Sequence, residues 1–297
     1  MDYDIVIIGG GISGLYCGYN LIKKHKILIL ERDDRLGGRI NTIYNNKFKI
    51  ESGAGRFTMY NKRLIKLLKE LNILNIGKNN SNKDIISNKN CTFKNQINAM
   101  INKLSILDKN TLQKNNLKTL IIDNFSISFY TCLLEIYEKN TLFTDINAYD
   151  SLRYLKGNYN ENRQFYSHKN GLSSIINKLE ELFIKNGGTI LRNHELINFD
   201  ESNNIFTLFI NGKVKVIETK NLIITAGKKA LSNYSYLKPF NDLINSINLT
   251  PLYRIYMKYP LKNGKVWFSE IKRRVIYHSL IKYIIPINLE KGVIMIS

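Results

Sequence analysis

The sequence predicts an α/β protein in which a domain built on a parallel sheet is interrupted by a second, mixed α+β domain, and three observations predict it. A short apolar run from Tyr3 to Ile8 ends in glycines, and a helical stretch from about Ser13 to Lys24 leads into a second apolar run, Lys26 to Leu30. That is a βαβ unit of about 30 residues, with strands apolar enough to be buried on both faces. A second block, Gly171 to Gly227, holds another helix and further strands, and a long Asn- and Lys-rich region separates the two blocks. The parallel-sheet domain is therefore expected over 1–72 and 166–232, the inserted domain over 73–165, and its antiparallel sheet over 233–297.

Asn61 stands where it would cap a helix whose apolar face is Leu64, Leu67, Leu68 and Leu71, spaced i, i+3, i+4, i+7. The region from Asn72 to about Lys118 is weakly periodic and reads either as a loosely packed helical insertion or as partly disordered. Asp123 to Lys139 is more apolar and is expected to be helical. In "GLSSIINKLEELFIKNGG" the stripe Leu172, Ile175, Ile176, Leu179, Leu182 and Phe183 predicts a firm helix, and Gly187-Gly188 supply its left-handed stop. "TILRN", a hairpin around Asn211-Gly212, and "NLIITAG" follow as strands, and "RIYMKYP", "KVWFSEI" and "YIIPI" as an antiparallel sheet.

Composition narrows the function classes. At 297 residues with 44% hydrophobic residues the chain suits two domains with a sizeable core. The net charge of +20 raises nucleic acid or a membrane surface as partner through attraction to phosphate. The basic residues, mostly lysines, are scattered along the chain rather than gathered into a stripe, so neither nucleic acid nor a membrane surface is expected as a partner. Cys17, Cys91 and Cys132 show no CxxC spacing and indicate neither a disulfide framework nor a zinc site. His25, His168, His194 and His278 are scattered without HxH or HExxH spacing, so no metal is expected. The start lacks a signal-peptide pattern and no run of 18 apolar residues occurs, which leads to the expectation of a soluble, cytoplasmic protein.

The chemistry-bearing motif is Gly9-x-Gly11-x-x-Gly14, directly after a strand and opening a helix. Gly9 permits the tight turn, Gly11 lets the backbone approach a pyrophosphate, and Gly14 lets the helix pack close to the strand. Ile12 and Ser13 begin the helix whose N-terminus offers N–H groups to the phosphates. Glu31, 20 residues after Gly11 at the end of the second strand, can accept hydrogen bonds from ribose hydroxyls.

Read together, "GGGISGLYCG" and "ERDDRLGGR" resemble the N-terminal fingerprint of the flavin-containing amine oxidases, the family of monoamine, polyamine and L-amino acid oxidases. The resemblance implies a Rossmann-like FAD-binding domain of the GR2 type and FAD as cofactor. It counts Arg32, after Glu31, among the cofactor contacts, and places Gly38 beside the cofactor and Arg39 by the diphosphate as a forked donor. "ESGAGRF" is similar to the segment passing the flavin ring, with Gly53, Ala54, Gly55 and Arg56 in contact. Its Arg resembles the amino acid oxidase branch, in which an Arg clamps the substrate carboxylate; Arg56 does this or contacts the flavin or its phosphate. The similarity of "KNGLSSIINKL", "TILRNHELINF" and "NLIITAG" to the second FAD-contacting block adds Leu196, touching the adenine through its backbone, and Ala226 and Gly227.

The implied reaction oxidises a C–N bond of a small-molecule amine or amino acid, with hydride transfer to the flavin and oxygen as acceptor. Arg254 stands where many members carry a Lys that holds a water near flavin N5. Arginine cannot serve as a base but can hold a water; alternatively, Arg254 is a strand residue facing solvent. The family's closing segment, "GE" after a strand and then a Gly-rich helix start, is not found before Ser297. A second chain or a further C-terminal segment is therefore expected to complete the flavin site. Two alternatives stay open: a catalytically silent FAD-binding or interaction module, and a flavoenzyme like the carotenoid desaturases or protoporphyrinogen oxidases.

Overall fold

The computed structural model describes residues 3–45, 48–78, 85–86, 93–136, 141–158, 165–249, 252–271, 275–276, 281 and 283–296. The chain divides into two units, one of residues 1–77 and 166–248, the other of 78–165 and 249–297.

The first unit opens with β1 (Ile5–Ile8), α1 (Ile12–Leu21) and β2 (Ile27–Leu30), then β3 (Thr42–Asn45), β4 (Phe48–Glu51), β5 (Phe57–Thr58), α2 (Lys62–Glu70) and β6 (Ile76–Lys78). The chain then passes through β7 (Ile85–Ile86) and the helices α3 (Phe93–Leu104), α4 (Lys109–Lys114), α5 (Leu117–Asn124), α6 (Ile127–Ile136), α7 (Thr141–Thr144) and α8 (Ala148–Asn158). Next come β8 (Phe165–His168), α9 (Ser173–Lys185), β9 (Thr189–Leu191), β10 (Glu195–Ser202), β11 (Ile205–Asn211), β12 (Val216–Thr219), β13 (Asn221–Ile224), α10 (Lys228–Leu231) and α11 (Asn241–Asn245). The last strands are β14 (Ile255–Lys258), β15 (Val275–Ile276), β16 (Tyr283–Asn288) and β17 (Val293–Ile296).

The central sheet of the first unit has the order β13-β1-β2-β9, and all its pairings are parallel. Its strands are buried on both faces because alternate residues feed two different cores. Ile5, Ile7, Ile27 and Ile29 pack with Leu15 of α1, Leu67 and Leu68 of α2, and Ile175, Leu179 and Phe183 of α9. Val6, Ile8, Leu28 and Leu30 pack instead on Leu196, Phe199, Leu208 and Ile210 of the antiparallel β10-β11-β12 sheet. The result is a helix layer, a parallel sheet and an antiparallel sheet, which puts the Gly9–Gly14 turn at the carboxyl end of the central strand.

Phe183 is wholly buried, and a Cβ added to Gly18 or Gly188 would stand 2.8 or 2.4 Å from its ring. Two glycines thus make the slot that brings α1 and α9 together. Phe183→Ala is expected to cost about 3–5 kcal/mol, read as a fall in the midpoint of chemical unfolding; a loss below about 1 kcal/mol, the scale of a surface change, would overturn that assignment.

Several local expectations need correction. Asn61 sits at the start of α2, yet its side chain makes no cap bond there. Its amide oxygen accepts instead from Thr58 N (2.8 Å) and Thr58 Oγ1 (3.1 Å). The helical stretch expected over 123–139 is broken at Phe125, which leaves helical geometry. Ser126 restarts it, its hydroxyl accepting from Phe129 N at 3.1 Å; residues 137–139 lie outside the described set. The Asn/Lys-rich region is no loose insertion where it is described, since Ile97, Met100, Leu104, Leu112 and Leu117 all enter a buried cluster with Leu133, Phe143 and Leu155.

In the second unit's sheet, order β14-β17-β16-β15-β7, "KVWFSEI" contributes no strand: residues 267–270 form turns, with Ser269 N bonded to Val266 O and Ile271 N to Phe268 O. Val266 and Phe268 alternate into a small core, as in a strand, without a pairing partner. The hairpin around Asn211-Gly212 is present between β11 and β12. A second one, at Asn203-Asn204, carries no glycine, yet both residues have positive φ (52° and 60°), the geometry of a two-residue type I′ turn. Cys132 is disulfide-bonded, although the cysteine spacing indicates no disulfide framework; Cys17 is free.

Candidate functional site

The three glycines of the motif answer to different demands. Gly9 has φ 104°, and a Cβ there would stand 2.8 Å from Thr225 Oγ1. On Gly14 a Cβ would lie 1.9 Å from the carbonyl oxygen of Gly9, so α1 could not pack against the strand end. Gly11 differs: its φ of −70° and ψ of 177° suit any residue, and a Cβ there would meet nothing within 4 Å. The protein's own packing has no need of glycine at position 11. The open space lies before the N-terminus of α1, which has no side-chain cap, so its first N–H groups are left for an outside acceptor.

Around that space the chain builds a frame. Glu31 Oε2 accepts from Gly10 N at 2.7 Å and Oε1 from Asp33 N at 2.9 Å. An ionised carboxylate offers about four acceptor directions, so capacity for ribose hydroxyls remains. Glu31→Gln would turn an amide NH2 toward one of those two backbone donors. The expected result is roughly 1–3 kcal/mol lost, seen as a lower melting temperature of FAD-free protein; an unchanged one would show that the carboxylate does not hold the turn.

The second glycine turn lies alongside. Gly37 N donates to Gly10 O at 2.9 Å, Gly11 and Gly37 form a parallel bridge, and a Cβ on Gly38 would stand 3.7 Å from Gly11 Cα. Gly37 and Gly38 have φ of 102° and 55°, a left-handed pair favoured by glycine. Two side chains that sequence reasoning passed over brace the frame. Arg35 donates to Leu36 O (3.2 Å) and Gly38 O (3.0 Å), and Thr225 Oγ1 donates to Ile8 O at 2.9 Å.

The "ESGAGRF" segment is docked onto the same turn. Ala54 N donates to Arg39 O at 3.0 Å, and a Cβ on Gly53 would lie 1.9 Å from that oxygen. Glu51 fastens the segment's start: Thr42 Oγ1 donates to Oε2 (2.8 Å) and Leu172 N, at the opening of α9, to Oε1 (2.9 Å). Beside it Lys49 Nζ donates to His168 O at 2.6 Å and to Lys169 O. Burial holds the Lys49 ammonium below the usual lysine range, against the pull of Glu51.

Hydrogen bonds and close backbone contacts therefore link the Gly9–Gly14 turn to Glu31 and to Gly37 and Gly38, and the Arg39 carbonyl that follows links to Gly53 and Ala54. Arg39 is exposed. Arg32 is exposed too and binds Asp33 at 3.2 Å and Glu195 at 3.8 Å; the hydrogen bond to Asp33 raises its pKa above the ordinary range. Gly55 and the exposed Arg56 follow on the stretch from β4 to β5. Leu196 is buried at the start of β10, just before a register shift against β11. Ala226 and Gly227 follow Thr225, whose N–H bonds Ile8 O at 2.8 Å, and a Cβ on Gly227 would meet open space. Arg254, half-buried before β14, belongs to the second unit. Among the described residues no group of His, Cys, Asp or Glu could hold a metal, and no helix is long and apolar enough to cross a membrane.

A parallel sheet with a glycine turn, an uncapped helix start and a carboxylate on the next strand defines a dinucleotide-binding α/β protein. Residues 12–125 match the family model for flavin containing amine oxidoreductases, and over that stretch the chain is similar to the flavin-containing amine oxidases. A flavin-containing amine oxidase of Oncorhynchus mykiss is 31% identical over 115 residues, 37% of this chain and 22% of that protein. A coproporphyrinogen III oxidase of Propionibacterium freudenreichii is 31% identical over 70 residues, 23% of this chain and 13% of that protein. These matches thus span less than a quarter of the relatives' length. A redesigned triple mutant of putrescine oxidase superposes with a TM-score of 0.77 at 14% identity, over 99% of this chain and 74% of that one; at that identity the likeness concerns the fold. The family implies FAD as cofactor, and the open cradle at Gly11 fits it.

Proposed function

We propose that the protein is an FAD-dependent oxidoreductase that oxidises a C–N bond of an amine or amino acid, with oxygen as acceptor. The observation that carries this reading is the contrast within the glycine motif: Gly9 and Gly14 are required by the protein's own packing, whereas a Cβ on Gly11 would enter open space before the uncapped start of α1. On this reading the first N–H groups of α1 and the forked guanidinium of Arg39 take the diphosphate, and Glu31 takes the ribose. Gly53, Ala54 and Gly55 bring backbone to the flavin, with Leu196, Ala226 and Gly227 as further contacts. The flavin supplies a hydride acceptor. Arg56 orients a substrate carboxylate and Arg254 holds a water; neither works as a base, because guanidinium stays protonated.

The test is to purify the protein with added FAD, record the flavin absorption after desalting, and assay peroxide release with amines and amino acids. Retained flavin with peroxide production supports the reading; no flavin uptake would sink it. The similarity to a coproporphyrinogen III oxidase over 70 residues motivates a second reading, a large apolar porphyrinogen-like substrate. Flavin uptake with turnover of such a substrate but of no amine would favour it.

A further inference from the structure

We propose that the hairpin tip at residues 261–267 is a docking site for an anionic phospholipid surface. Lys262 and Lys265 bond each other's backbone reciprocally, N to O at 2.8 and 3.0 Å. Asn263 and Gly264 between them have φ of 50° and 72°, so this is a tight two-residue turn of the type I′ class. Immediately beyond it Val266 and Phe268 are buried while Trp267, between them, is 63% exposed. The two buried neighbours anchor the backbone and push the indole outward, where it is braced edge-on by Tyr259 and Phe268 at centroid distances of 5.6 and 5.2 Å. Leu261 is 42% exposed on the other flank. A fixed tip therefore presents one indole, one leucine and two ammonium groups to solvent.

That combination fits a lipid headgroup layer. An indole settles where apolar chains meet water, and lysines gain from the negative potential of anionic lipids. The charge is mostly basic: residues 249–270 contain Arg254, Lys258, Lys262 and Lys265 against the one carboxylate of Glu270. Among the described residues, neither Lys262 nor Lys265 makes an ion pair. Binding here would be peripheral, in keeping with the absence, among the described residues, of a helix able to span a bilayer.

Trp267 is the chain's single tryptophan, so its emission reports on this site alone. The full chain is titrated with vesicles of phosphatidylcholine containing phosphatidylserine, and with phosphatidylcholine alone. The expected result is a blue shift of Trp267 emission with the anionic vesicles only. Removing both charges, Lys262→Gln with Lys265→Gln, should weaken partitioning by about 25-fold, taking about fivefold per basic residue at the surface. Trp267→Ser should reduce co-sedimentation with the same vesicles. Four outcomes would overturn the proposal: sedimentation with anionic vesicles without any emission change, undiminished sedimentation of Trp267→Ser, a blue shift that grows with protein concentration in the absence of lipid, and an equal shift with duplex DNA at matched phosphate.

Discussion

Gly11→Ala is expected to separate ligand binding from folding. Alanine is at ease at the φ and ψ of Gly11, and its methyl group would enter empty space. The FAD-free protein should therefore melt no lower than wild type, and a gain of about 0.4–1 kcal/mol is expected from the stiffer unfolded chain. FAD affinity should fall by about 10- to 100-fold, because the methyl occupies the close approach of the pyrophosphate at an overpacking cost of roughly 1–3 kcal/mol. Gly14→Ala should do the reverse in order of cause. With its Cβ 1.9 Å from a backbone oxygen, it must push α1 off the strand, and the FAD-free protein itself should be destabilised. Melting of FAD-free protein together with a flavin-fluorescence titration checks both. A Gly11→Ala variant that melts as low as Gly14→Ala would show that position 11 is a packing glycine.

The same contrast marks how far the sequence could be read. The spacing of Gly9, Gly11, Gly14 and Glu31 located the turn, because a close helix-to-strand approach and a carboxylate at the strand end have short-range signatures. The alternation of Ile5, Ile7 with Val6, Ile8 likewise announced a strand buried on both sides. What it concealed was long-range. Thr225 is more than two hundred residues from Ile8, and its hydroxyl bond there follows only from the parallel pairing of β1 with β13. Arg35 looked like one charge in a charged loop, and its two carbonyl partners depend on the left-handed path of Gly37 and Gly38. The spacing of Glu31 points to a ribose ligand and gives no sign that its carboxylate also braces the turn.

Two errors were of the opposite kind, local signals overruled by context. The alternation in "KVWFSEI" has strand period, yet Val266 and Phe268 reach their core from a turn. The apolar run over 123–139 has helical character throughout, but Ser126 supplies a competing cap within it, the usual way a serine interrupts a helix. Neither error touches the cradle. The proposed cofactor frame is built from backbone geometry that glycine positions announce, whereas the roles proposed for Arg56 and Arg254 follow from no spacing rule.

Arg56→Ala carries the largest expected effect on specificity. On the reading that its guanidinium clamps a substrate carboxylate, removing one partner of a desolvated charge pair costs about 2–5 kcal/mol, or roughly 30-fold to several thousand-fold in kcat/KM. The loss should fall on α-amino acids and spare amines that lack the carboxylate. Arg56→Lys should recover little, because an ammonium keeps the charge and loses the planar two-point fork. Position in the fold makes the test clean: Arg56 is exposed and stands outside β4 and β5, so the variant should fold and take up FAD as wild type does. The comparison is kcat/KM on paired substrates that differ only by the carboxylate, with the FAD content of each variant measured beside it. Equal losses on both members of each pair, accompanied by weaker FAD retention, would assign Arg56 to the cofactor rather than to the choice of substrate.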